Sequence, residues 1–161
     1  LGWRFSVQPT WLTELVKADY ENMGAERAET GFKFKTLIDA GLQPAASTDM
    51  TGIYLGNVEP FPAMQAMVTR ASDAGVFEPQ EAISVLDAVR MWTIWAARAI
   101  GEGEHRGSLE VGKLADLTVL TDDVFAVPPD RIHTVAAAMT VVGGRVVFSR
   151  SETTPAAGRH R

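Results

Sequence analysis

Polar and apolar residues alternate from Arg4 to Gln8 (Arg-Phe-Ser-Val-Gln), and Pro9 closes the run, which predicts a short strand. Trp11 to Tyr20 reads as a helix, with Gly24 as its later stop. From Phe32 to Ala40 the apolar residues Phe34, Leu37 and Ile38 fall on one helical face, and Gly41 stands where a C-terminal cap belongs. Leu42 to Ser47 then reads as a short buried strand. Strand, helix, strand is the repeat unit of a parallel α/β sheet.

Thr48 to Pro62 is rich in Gly, Asn and Pro and predicts a long loop leaving a strand's C-terminal end. Ala63 to Ser72 follows as a helix. Pro79-Gln80-Glu81 opens a longer one, with Pro in its first turn and an acid near the positive end of the helix dipole. Its stripe of Ala82, Leu86, Val89, Trp92, Ala96 and Ala99 repeats at three and four, which predicts one helix of about 20 residues, or ~30 Å, ending at Ile100 before Gly101. Ile83, Val85, Ile94 and Trp95 widen the stripe, so more than one side should be covered.

Past Gly101 the texture changes. Leu114 to Leu120 alternates, Val135 to Val142 is strand-like, and Gly143-Gly144 is a two-residue hairpin signal ahead of Arg145 to Phe148. The expected boundary lies near Gly101–Gly107, dividing an α/β part (residues 1–100) from a small β-rich part (101–150). Ser151 to Arg161 carries Pro, Ala, Gly and charges without periodicity, as a frayed tail does.

Hydrophobic residues make up 46% of the 161 positions and charged ones 22%, enough apolar surface to offset the entropy of ordering a chain. With 20 acidic against 15 basic residues the net charge is -5, which argues against a nucleic-acid partner, since such a partner requires a basic footprint. There is no cysteine, so neither disulfides nor thiolate metal sites can form. No stretch is apolar enough for a membrane span. The chain opens Leu1-Gly2-Trp3-Arg4, without initiator Met or a basic-then-apolar leader. The expectation is a cytoplasmic protein, of which these residues are a piece.

The three histidines, His105, His133 and His160, form no ligand pair, and metal sites need three or four converging donors. Glycines 101, 103 and 107 lack a preceding strand and read as a turn, not a phosphate loop. Trp92 and Trp95 read as core. Asp116 is expected to bond nearby backbone amides and fix a turn. Asp49 follows the predicted strand Leu42 to Ser47 at the mouth of the long loop. Functional groups of parallel α/β folds sit there, so a carboxylate at that point could ligate a metal or accept a proton. Position alone favours the plainer reading, a helix- or turn-capping Asp.

Two C-terminal runs carry a resemblance: Gly-Ser-Leu-Glu-Val-Gly-Lys-Leu-Ala-Asp-Leu-Thr-Val-Leu from Gly107, and Thr-Val-Val-Gly-Gly-Arg-Val-Val-Phe from Thr140. Both resemble the C-terminal signature of the metal-dependent amidohydrolase superfamily, and Pro79-Gln80-Glu81-Ala82, Thr93, Ala96-Ala97 and Gly101 fit its preceding helix. The N-terminal half is similar to the amidohydrolase 3 branch, which includes long-chain amidase-like and D-aminoacylase-like proteins. Leu1-Gly2 through Ser6-Val7-Gln8-Pro9 resembles the segment entering and leaving that branch's seventh barrel strand. Ala40-Gly41-Leu42 through Ser47-Thr48-Asp49 resembles its eighth, and Pro62-Ala63-Met64 through Val68-Thr69-Arg70 the helix after it.

The resemblance implies an α/β fold: the C-terminal remnant of a (β/α)8 TIM-like barrel, followed by part of a composite β-sandwich. It implies hydrolysis of C–N bonds in small amide-type substrates by a metal-activated water, with a divalent metal, zinc, in the full-length parent. Only Asp49 inherits a role, as metal ligand and catalytic proton acceptor; the family's Gly-Ser-Asp is Ser-Thr-Asp here. The branch's His-x-His, its bridging acid or modified Lys and its later strand histidines would lie upstream of Leu1. The isolated chain is therefore expected to be inactive, to bind no metal tightly, to lack the N-terminal part of the same enzyme and to self-associate through uncovered edges. The alternative is a non-catalytic binding or assembly chain derived from such an enzyme.

Overall fold

The computed structural model describes residues 4–49 and 58–150 and shows a mixed α/β chain with three small sheets. The predicted first strand is β1 (Ser6–Val7), and the run from Leu42 to Ser47 contributes β2 (Ala45–Ala46). The two pair in parallel, Ser6 with Ala45 and Val7 with Ala46, and the Ser47 amide donates to the Val7 carbonyl at 2.9 Å. β2 is shorter than its apolar run for two reasons. The Leu42 amide is spent on the Leu37 carbonyl (3.1 Å), and Pro44 has no N–H to give a ladder.

Between them lie α1 (Trp11–Glu14), α2 (Val16–Met23), α3 (Ala25–Ala28) and α4 (Phe34–Asp39). Gly24 at φ 75° ends α2, and Gly41 at φ 79° follows α4 with its amide on the Ile38 carbonyl (2.8 Å). Both stops stand where the sequence puts them.

Of the predicted loop Thr48 to Pro62, residues 50–57 lie outside the described ones. The next helix, α5 (Pro60–Thr69), starts three residues before the expected Ala63, because prolines fit a first turn. It stops at Arg70, left-handed at φ 61°, instead of Ser72. Ala71–Ser72 is instead β3, antiparallel to β4 (Gly75–Val76), with the Ser72 hydroxyl bridging the turn to the Gly75 carbonyl at 2.8 Å.

The single helix expected from Pro79 to Ile100 is three pieces. Pro79–Glu81 is a 3-10 turn, Ala82 is extended, and α6 (Val85–Trp92) and α7 (Ile94–Ala99) follow. The Ile83 amide turns to the Met67 carbonyl of α5 (3.2 Å), and Ser84 starts a fresh helix by accepting the Asp87 amide at 3.0 Å. At Thr93 (φ -125°, ψ -100°) the helix breaks, and the Thr93 hydroxyl donates to the Val89 carbonyl at 2.7 Å. α7 ends ahead of Gly101, at φ 83°.

The break receives the loop that follows. A Cβ on Gly107 would meet Ala97 Cβ at 2.7 Å, Ile94 Cα at 2.9 Å and the Thr93 carbonyl at 3.1 Å, with φ at +92°. Gly107→Ala should therefore cost at least about 2 kcal/mol, from overpacking plus left-handed strain. Gly112→Ala, at φ +96° in open space, should cost only the backbone part, about 1–2 kcal/mol. Equal urea midpoints for the two variants would contradict this close approach.

The third sheet is β5 (Leu117–Leu120), β6 (Ala137–Val142) and β7 (Arg145–Ser149), an antiparallel meander. Gly143 and Gly144 take φ 55° and 77°, as a two-residue hairpin of this twist requires. Asp116, as expected, fixes a turn: its Oδ1 accepts the Gly143 amide at 2.7 Å. The 3-10 turn Pro129–Thr134 packs on α5 and adds Ile132 to a core that includes Leu12, Phe34, Met64, Met67, Phe77, Ala88, Met91 and Trp95. Among the described residues no helix is long and apolar enough to cross a membrane.

Candidate active site

Parallel pairing brings the C-terminal ends of β1 and β2 side by side, and the two faces of this ribbon differ. Val7 and Ala46 pack into the core. Ser6, Gln8 and Ser47 are joined to one another by hydrogen bonds: Ser6 Oγ donates to Ser47 Oγ at 3.0 Å and Gln8 Nε2 to the same oxygen at 3.4 Å. Ser47 Oγ gives its own hydrogen to the Val7 carbonyl at 3.4 Å. Alternation along β1 puts Ser6 and Gln8 opposite Val7, so their face carries these polar side chains and Ser47 beside the small, buried Ala45.

Just beyond, Thr10 is buried at 7% exposure, and its hydroxyl donates to the Thr48 carbonyl at 3.2 Å. Asp49 comes next. It is exposed and left-handed at φ 51°, a conformation that Asp tolerates better than most residues. The strand end, two hydroxyl ties and a strained carboxylate are thus consecutive in space.

The other candidates lie apart from it. His105 sits in the exposed loop after α7, with its amide on the Glu102 carbonyl at 2.9 Å. His133 Nδ1 lies 2.6 Å from Gln65 Oε1, which also accepts the His133 amide at 3.1 Å. His160 and the expected tail Ser151 to Arg161 fall outside the described residues. No group of three His, Asp or Glu converges among the described residues. Asp49 fits a hard divalent cation as one oxygen donor, and further donors would have to come from elsewhere.

One charged centre escaped the sequence reading. Arg70 is wholly buried, its Nε donating to the Phe77 carbonyl at 3.0 Å and its Nη1 to the Phe32 carbonyl at 3.2 Å. Its guanidinium lies over the rings of Phe34 (5.5 Å) and Phe77 (5.7 Å). Burial lowers its pKa to about 10 against the opposing pull of Glu81 and Glu78. Glu81, also buried, accepts the Thr36 amide at 3.0 Å and the Thr36 hydroxyl at 2.5 Å. Burial pushes the Glu81 carboxyl up, but the Thr36 bonds and the charges of Lys33 and Arg70 together hold it below its usual range. An arginine closing an apolar helix ordinarily reads as a solvent-facing cap, so only the tertiary packing of Phe32, Phe34 and Phe77 reveals this one.

Residues 1–148 match the Amidohydrolase family. YtcJ of Bacillus subtilis (strain 168), itself named for the amidohydrolases, is 30% identical over 135 residues, which are 81% of this chain and 25% of YtcJ. An N-substituted formamide deformylase of Arthrobacter pascens is 32% identical over 121 residues, 74% of this chain and 22% of the enzyme. A crystal structure of a metal-dependent hydrolase from Pyrococcus furiosus superposes with a TM-score of 0.53 at 25% identity, covering 68% of this chain and 21% of that one. The chain spans about a quarter of the length of these curated relatives. It belongs to the amidohydrolase family.

Proposed function

We propose that this chain forms the C-terminal part of a metal-dependent hydrolase that cleaves C–N bonds of small, non-peptide amides. β1 and β2 then represent the last two strands of a (β/α)8 barrel, residues 1–100, and β5–β7 contribute to a composite sandwich over residues 101–150. The observation that carries this is the placement of Asp49, immediately past a parallel strand and beside the polar side chains of Ser6, Gln8 and Ser47. A divalent metal such as zinc, when bound, supplies Lewis acidity toward water and the amide carbonyl. Asp49 serves as one of its ligands and takes the proton of the attacking water. Ser6, Gln8 and Ser47 line the adjoining wall with hydroxyl and carboxamide groups suited to orient an amide.

The test compares two proteins. The 161-residue chain alone should hydrolyse no N-substituted formamide and should self-associate, as read by light scattering, because among the described residues the outer edges of β1 and β2 meet no further strand. The longer protein, with a preceding segment that contains His-x-His, should hydrolyse it, lose activity to a chelator and regain it with zinc. Metal-independent hydrolysis by the longer protein, or turnover by the 161 residues alone, would overturn the proposal.

A further inference from the structure

We propose that Thr10 is a positioning residue for Asp49: its buried hydroxyl holds the Thr48 carbonyl and thereby aims the carboxylate. This rests on the reading of Asp49 as metal ligand and proton acceptor. Thr10 follows β1 and Thr48 follows β2, so the 3.2 Å bond ties two strand ends across 38 residues of sequence. Thr10 itself cannot drift, because its carbonyl accepts both the Thr13 hydroxyl (2.6 Å) and the Thr13 amide (3.1 Å) in the first turn of α1.

The carbonyl that Thr10 grips belongs to the peptide unit joining Thr48 to Asp49. Turning that unit changes ψ of Thr48 and φ of Asp49 together. Asp49 stands at φ 51°, where residues other than glycine need restraint from their surroundings. One residue earlier, the Ser47 amide and hydroxyl are likewise held to β1, by Val7, Ser6 and Gln8. Two consecutive ties precede a left-handed acid at the mouth of the site. Groups that orient a ligand in this way typically change metal affinity or activity about 10–100-fold when removed.

The test uses the full-length hydrolase loaded with zinc. Thr10→Val keeps the shape and removes the hydroxyl, Thr10→Ala removes it without crowding should the Val variant fail to fold, and Thr10→Ser retains it. Zinc content after dialysis against graded chelator, measured well below the melting temperature, should show affinity weakened about 10–100-fold in the Val or Ala variant. The value of kcat should fall in parallel with little change in KM, and Thr10→Ser should stay near wild type. Wild-type zinc affinity and kcat in Thr10→Ala, or an equal loss in Thr10→Ser, would overturn the proposal while leaving the role of Asp49 intact. Wild-type zinc affinity and turnover in Asp49→Asn would instead defeat the reading beneath it, and this proposal with it.

Discussion

Asp49→Asn in the full-length hydrolase is expected to lower turnover by about 10²–10⁴-fold, the usual worth of a positioned proton acceptor. Asn nearly preserves the volume and shape of Asp, and it tolerates the left-handed backbone at φ 51° equally well. Stability should therefore change little, because Asp49 is exposed and lies outside the buried core. What disappears is the negative charge: a carboxamide cannot take a proton from water at neutral pH, and it is a poorer donor to a divalent cation. The pairing of a large kinetic loss with an unchanged thermal midpoint distinguishes a chemical role from a turn cap. Wild-type kcat in the Asn variant would reduce Asp49 to a structural residue. A midpoint lowered in step with the kinetic loss would say the same by a different route.

Local signals were legible wherever the chain itself decides the conformation. The alternation from Arg4 to Gln8, the stops at Gly24, Gly41 and Gly101, and the Gly143-Gly144 hairpin all reappear in the fold. The placement of Asp49 after β2 was legible for the same reason, since a strand followed by a loop fixes where an acid emerges. Periodicity failed where tertiary contacts overrule it. The apolar spacing continues from Val89 through Trp92 to Ala96, yet a spacing of three and four does not register a break in phase, and the loop at Gly107 presses on the interruption at Thr93. The β3–β4 hairpin was missed because its strands are two residues long and carry no alternation. The ties from Thr10 and Gln8 were invisible because their partners, Thr48 and Ser47, stand about forty residues away.

The largest loss of stability is expected from Arg70→Ala, about 3–5 kcal/mol, the range found when one partner of a buried charge arrangement is removed. Three effects point the same way. The Phe77 and Phe32 carbonyls lose their donors inside the protein, a buried long side chain leaves a void among Phe34 and Phe77, and Glu81 loses a nearby compensating charge. Arg70→Lys should recover only part, because one ammonium cannot reproduce the planar fork that serves two carbonyls while lying over two rings. The backbone supplies an internal check. At φ 61° Ala carries the strain of the left-handed region and Gly does not, so Arg70→Gly should be about 1 kcal/mol less destabilising than Arg70→Ala despite losing the same bonds. Arg90→Ala, which breaks a half-exposed pair with Asp87 (3.1 Å), should cost well under about 1 kcal/mol. Denaturant midpoints of the four variants measure this directly. An Arg70→Ala chain within about 1 kcal/mol of wild type would mean that the buried guanidinium contributes no more than a surface charge does, contrary to its burial and its two carbonyl bonds.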